Sequence, residues 1–108
     1  MEYSSPVIFI EDHGFQSRRK GVLDDEELFS LMAWLAVHPE SGKIIPRSGG
    51  LRKVRWATKG HGKRGGLRVI YFWWIADDKI LLLDLYAEGR KEDLSAAEVE
   101  KLKRKVIE

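Results

Sequence analysis

Lys53, Arg55 and Arg68 are the residues whose type and spacing could do chemistry in this chain. In the run Leu51-Arg52-Lys53-Val54-Arg55-Trp56-Ala57, a strand would send Lys53 and Arg55 to one face and Arg52, Val54 and Trp56 to the other. Arg68 starts the next apolar run, and Arg90 and Lys91 follow the end of the run after that. If the three runs are strands of one antiparallel meander, these cations converge at one end of a sheet face. A phosphodiester held there would meet several positive charges, and clustered guanidinium and ammonium groups stabilise the charge that grows at pentavalent phosphorus. RNA would bring its own nucleophile, because a positioned ribose 2′-OH can attack the adjacent phosphate in line. A lysine surrounded by other cations gives up its proton more readily, so Lys53 could act as a general base. Tyr86, near the end of its strand, is a candidate proton donor or base-stacking platform, and equally a half-buried strand tyrosine.

Those cations belong to a longer stretch of one sign. Residues 41–76 hold nine lysines and arginines and no Asp or Glu, in a chain of net charge +2, so the remainder is net acidic. This polarity predicts a polyanion surface in the middle of the chain. Thr58 to Gly66 reads as an exposed glycine-rich loop whose Lys59, His61, Lys63 and Arg64, with Arg52 nearby, add RNA-binding candidates. Other chemistries find little support. There is no cysteine, and His13, His38 and His61 lie in three separate segments without metal-ligand spacing. Gly60-His61-Gly62-Lys63 lacks the spacing and terminal Ser or Thr of a P-loop. No metal and no cofactor are expected. His13 reads as a strand-end residue and His38 as a helix-end residue before Pro39. Trp56, Trp73 and Trp74 could stack on bases but read mainly as core and sheet cover. No signal peptide or membrane-length apolar run is evident, which predicts a soluble cytoplasmic protein with no membrane partner.

The elements that must position these residues follow from periodicity and punctuation. One domain spanning 1–108 is expected from the length. Val7 to Ile10 reads as a strand, and Arg18-Arg19-Lys20-Gly21 as a polar break. Asp24 and Glu27 form a capping box for a helix that carries Leu28, Leu31, Met32 and Leu35 on one face and stops near His38. Leu51–Ala57, Leu67–Ala76 and Lys79–Ala87 form the meander, with Asp77-Asp78 as a tight turn. The middle strand is apolar on both faces and should be central. Ser95 and Glu98 cap a last helix with an apolar stripe of Val99, Leu102 and Val106. The expected fold is a small α+β domain. Its sheet is antiparallel, an N-terminal strand plus the three-strand meander, with the helices on one face and the other face open to a ligand.

Gly49-Gly50-Leu51-Arg52-Lys53-Val54-Arg55-Trp56 and Gly65-Gly66-Leu67-Arg68-Val69-Ile70-Tyr71-Phe72 resemble the RelE/ParE superfamily of bacterial type II toxin–antitoxin modules. Leu83-Asp84-Leu85-Tyr86-Ala87, the charged stretch to Asp93 and Leu94-Ser95-Ala96-Ala97-Glu98 look like its HigB branch. The resemblance implies a RelE-like fold and a ribosome-dependent, metal-independent endoribonuclease that cuts mRNA in the ribosomal A site and is neutralised by a cognate antitoxin. By motif its catalytic cations fall on Lys53, Arg55, Arg68 and Arg90, with Lys91 next in register. Arg52, Lys59, His61, Lys63 and Arg64 would then contact the ribosome, including its 16S RNA. RelE-type members carry a tyrosine shortly after the last basic residue. Here Lys91-Glu92-Asp93-Leu94 has none, so the resemblance leaves the proton donor unassigned. Two other functions fit the chain: a ParE-like gyrase poison, against which the basic strand pair argues, and a non-catalytic RNA- or ribosome-binding module.

Overall fold

The computed structural model describes residues 7–57, 66–89 and 93–107. Its elements run β1 (Ile8–Glu11), α1 (His13–Arg19), α2 (Asp25–Val37), β2 (Lys43–Ile44), β3 (Arg52–Ala57), β4 (Gly66–Trp74), β5 (Lys79–Ala87) and α3 (Ala96–Ile107). Side-chain caps set the helix starts. The Asp24 carboxylate accepts from the Glu27 amide at 2.8 Å, opening α2, and His38 closes it ahead of Pro39. Ser95 and Glu98 exchange hydrogen bonds of 2.8 and 3.1 Å at the start of α3. The helix α1 was not expected. Asp12 caps it through the Gly14 amide at 2.9 Å, so His13 opens a helix rather than ending a strand, and Arg18 and Arg19 form its last turn. Phe15 is its one buried side chain, and ion pairs to distant elements hold the rest: Arg18 to Asp84, and Asp12 to Lys105 of α3.

The strands form one sheet in the order β1-β5-β4-β3-β2, with β4 at its centre as its two apolar faces require. The meander β3–β4–β5 is antiparallel, but β1 runs parallel to β5, pairing Ile8 with Lys79 through Glu11 with Leu82. The sheet is therefore mixed rather than antiparallel. The two-residue β2 adds a fifth strand beside Arg52 and Lys53.

Alternate residues of β5 divide between two cores on opposite faces. Ile80 and Leu82 pack with Phe15 of α1 and with Leu28, Leu31 and Leu35 of α2. Leu81 and Leu83 pack with Leu51, Ile70 and Leu102 of α3. The helices thus lie on both faces, not on one. A strand pair apolar on both sides needs cover on both sides, and α3 supplies the second layer. Among the described residues, the end of that second face at Arg55, Arg68 and Tyr86 stays partly accessible. Trp56 and Trp73 pack at the margin of the first core and Trp74 at that of the second, so all three serve as sheet cover. Among the described residues, no helix is long and apolar enough to cross a membrane.

Candidate active site

The antiparallel register decides which cations meet. Arg55 of β3 stands directly opposite Arg68 of β4, and Arg68 opposite Tyr86 of β5. The three make one row across the sheet on the α3 side. Lys53 lies two residues along from Arg55 and pairs in register with Lys43 of β2 and Ile70 of β4. Like charges directly across a strand pair repel, so the Arg55–Arg68 pair needs a counter-charge. Glu88, the residue after β5, provides it.

Glu88 Oε2 lies 3.1 Å from Nη2 of Arg55 and 3.1 Å from Nη2 of Arg68. Its amide donates to the Gly66 carbonyl at 2.9 Å, and its carboxylate rests over that glycine. A Cβ at position 66 would come within 2.6 Å of Oε1, so the glycine clears the space the carboxylate occupies. Its hydrogen bond with Arg68, joined by the charge of Arg55, holds the Glu88 carboxyl below its ordinary pKa. A second acid, Asp93, accepts from Nζ of Lys53, and that hydrogen bond likewise lowers its pKa. Lys53 therefore has a carboxylate against it, not the all-cationic surround that a base role requires.

Exposure separates the cations. The Arg55 side chain is 72% exposed and that of Arg68 22%. Nε of Arg68 is buried and has no hydrogen-bond partner among the described residues. Arg55 can thus reach an approaching polyanion, while Arg68 marks the floor of the site. Tyr86 is half-buried against the second core, and burial raises its pKa. Tyrosine is a phenol at neutral pH already at its ordinary pKa, and that is the form a proton donor needs. A groove of about 660 Å³ along the edge of β3, beyond the short β2, joins Lys53, Arg55 and Arg68 to Lys43, Trp34 and Trp56. Sequence reasoning did not place Trp34 or Lys43 there; the folding of α2 and β2 beside β3 brings them in.

Arg52 does not join the cluster. Its guanidinium turns to the other face, donates to the Glu40 and Gly42 carbonyls at 3.1 and 2.9 Å, and sits 5.7 Å from the centre of the Trp73 ring. It braces β3 to the turn after α2. His38 stacks on Trp34 at 4.0 Å between ring centres. Arg90, Lys91, Lys59, His61, Lys63 and Arg64 lie outside the described residues.

No family model matches the sequence. Solved structures do match the fold. The chain superposes on a double arginine-to-alanine mutant of the E. coli toxin RelE in the free state with a TM-score of 0.61, over 96% of this chain and 100% of that one, at 14% identity. The fold is that of RelE. A second match is the RelBE2 toxin–antitoxin complex of Mycobacterium tuberculosis, with a TM-score of 0.55 at 17% identity, over 78% of this chain and 100% of the matched chain. On this RelE-like frame, the row Arg55–Arg68–Tyr86 and its acid Glu88 sit where the meander ends, on the α3 side of the sheet.

Proposed function

We propose that the protein is the toxin of a type II toxin–antitoxin pair and acts as a ribosome-dependent endoribonuclease on mRNA in the A site. The observation that carries this reading is the pairing of Arg55 with Arg68 across the sheet, with Lys53 and Tyr86 beside them, on a RelE-like fold. Arg55 and Arg68 would grip the scissile phosphate in two-pronged fashion and take up the charge of the pentavalent state. Lys53 would hold an adjacent phosphate, and Tyr86 would protonate the departing 5′-oxygen. The chemistry needs no metal, because the ribose 2′-OH supplies the nucleophile and the cations supply the charge stabilisation. Arg90 and Lys91 follow β5 in sequence and are assigned to the same end of the site. Lys59, His61, Lys63 and Arg64 are assigned to ribosomal contacts, 16S RNA included.

A cognate antitoxin is the expected protein partner, since one of the matched structures is a toxin–antitoxin complex. The proposal places the protein in the bacterial cytoplasm. Assignment to the HigB branch rests on the resemblance of residues 83–98 alone.

Primer extension on a translated message after induction of the free protein tests the activity. The expected result is arrested growth with new 5′ ends inside codons of ribosome-bound mRNA. Continued translation with inhibited DNA gyrase would replace this function with the ParE-like one.

A further inference from the structure

Glu88 is an acid at the centre of a cationic site, held by its backbone as well as by ion pairs to two arginines. Asp93 also neutralises a cation, but through one contact, and its side chain is 72% exposed. Glu88 is bound at both ends. Its backbone bonds to Gly66, both of its carboxylate oxygens lie against guanidinium groups, and a residue without a side chain makes room beneath it. Positioning of this kind is what proton transfer demands, since a general base has to meet one proton at hydrogen-bond distance.

We infer that Glu88 is the general base of the cleavage reaction, taking the proton of the ribose 2′-OH while Arg55 and Arg68 hold the phosphate beside it. The inference rests on the ribonuclease reading above. In the step, the 2′-O–H bond breaks and its proton passes to a Glu88 carboxylate oxygen. The freed electron pair forms the bond from O2′ to phosphorus. The bond from phosphorus to O5′ then breaks, and O5′ leaves with the Tyr86 proton. The products are a 2′,3′-cyclic phosphate and a 5′-hydroxyl, and the protonated Glu88 and the Tyr86 phenolate exchange their protons with water.

The resting ion pairs explain how one carboxylate can be both ionised and basic. In the free protein the arginines keep Glu88 charged and ready. When a phosphate shares the guanidinium groups, their hold on the carboxylate weakens and its basicity rises, while the backbone bond to Gly66 still keeps Glu88 beside the phosphate. Arg68 has a buried Nε–H that has no partner among the described residues and faces the incoming oxygen as a further donor. Lys53, held by Asp93, is then a phosphate ligand.

The test is single-turnover cleavage of a synthetic message on the ribosome by the full chain, as wild type, Glu88→Gln, Gly66→Ala and Tyr86→Phe. Each is run on normal RNA, on RNA with a 2′-deoxy sugar at the cleavage site, and on RNA with sulfur in place of the scissile 5′-oxygen. Glu88→Gln keeps shape and an acceptor, and should lose roughly 10²- to 10⁴-fold in rate without losing affinity for the ribosome–message complex. Sulfur is a good leaving group needing no acid, so it should restore Tyr86→Phe and leave Glu88→Gln slow. Gly66→Ala, which retains the carboxylate but displaces it, should also be slow. A Glu88→Gln protein that cleaves as fast as wild type, or faster, overturns the inference and makes Glu88 a counter-ion that RNA merely displaces. If Glu88→Gln does not fold, full activity of Gly66→Ala overturns it instead. Cleavage of the 2′-deoxy message, or no cleavage by wild type, refutes the underlying reading and the inference with it.

Discussion

Tyr71→Phe removes one oxygen atom and should destabilise the fold measurably. The Tyr71 side chain is fully buried in the central strand, and its hydroxyl reaches the turn between α2 and β2. It donates to the Pro39 carbonyl at 2.7 Å and accepts from the Gly42 amide at 2.9 Å. Gly42 is itself buried, so phenylalanine strands its N–H without water at a cost of about 1–3 kcal/mol. Pro39 is half-buried and its carbonyl can hydrate, so that loss is smaller, about 0.5 kcal/mol. Sparing the hydroxyl its own desolvation offsets part of the total, leaving about 2 kcal/mol net. For a chain of this size, that lowers Tm by roughly 8 °C. Urea unfolding measures the change directly as a lower midpoint at unchanged slope. Gly42→Ala attacks the same hydrogen bond from the other side, because its Cβ would stand 2.8 Å from the Tyr71 ring. The two substitutions should therefore be strongly non-additive in a double-mutant cycle. A Tyr71→Phe protein within about 0.5 kcal/mol of wild type would show that water reaches the Gly42 amide and that the anchor is not needed.

Three further outcomes are expected. Arg68→Ala should abolish cleavage while circular dichroism and Tm show a folded protein; full toxicity of that variant would remove Arg68 from the site. Binding to the ribosome should weaken steeply with added salt, and the triple variant Lys53→Ala, Arg55→Ala, Arg68→Ala should flatten the log–log slope by roughly 0.7 for each phosphate it no longer neutralises. A flat response in the wild type would refute the polyanion surface. Burial opposes the charge on Asp12, but hydrogen bonds from Lys105 and the Gly14 amide outweigh it and lower the carboxyl's pKa. A carboxyl lowered on folding stabilises above its unfolded pKa of about 4, and that contribution disappears as pH falls through the folded value. Asp12→Asn keeps the cap, so it should lose about 0.5–1 kcal/mol at pH 7 and nothing in acid, read from denaturation at both pH values.

Local chemistry was legible in the sequence and long-range pairing was not. Asp24 with Glu27 and Ser95 with Glu98 announced two helices, because a cap is written in four consecutive residues. Lys79–Ala87 matches β5 at both ends, since Asp77-Asp78 and the polar run after Ala87 bound an apolar stretch. The helix α1 has an N-cap in Asp12 but no Glu or Gln three residues on and no apolar stripe to complete the signal. Its single buried residue and its remote partners Asp84 and Lys105 cannot be read from residues 13–19. The parallel pairing of β1 with β5 was equally hidden, as was the placing of α3 on the second face, although the two-sided apolarity of β4 asked for such cover. At the site, alternation correctly put Lys53 and Arg55 on one face. The acids were not legible, because Glu88 and Asp93 read as a charged tail and only the β4–β5 register puts Glu88 over Gly66.

The parallel seam between β1 and β5 also orders assembly in time. The hairpins β3–β4 and β4–β5 close between neighbours in the chain, whereas Ile8 meets Lys79 only after the chain has looped through two helices and three strands. Loop closure of that span is the costliest in the sheet and is deferred. A refolding chain therefore assembles its row of arginines first and zips its own first strand in last. Amide protons of β4 should gain protection from exchange ahead of those of β1.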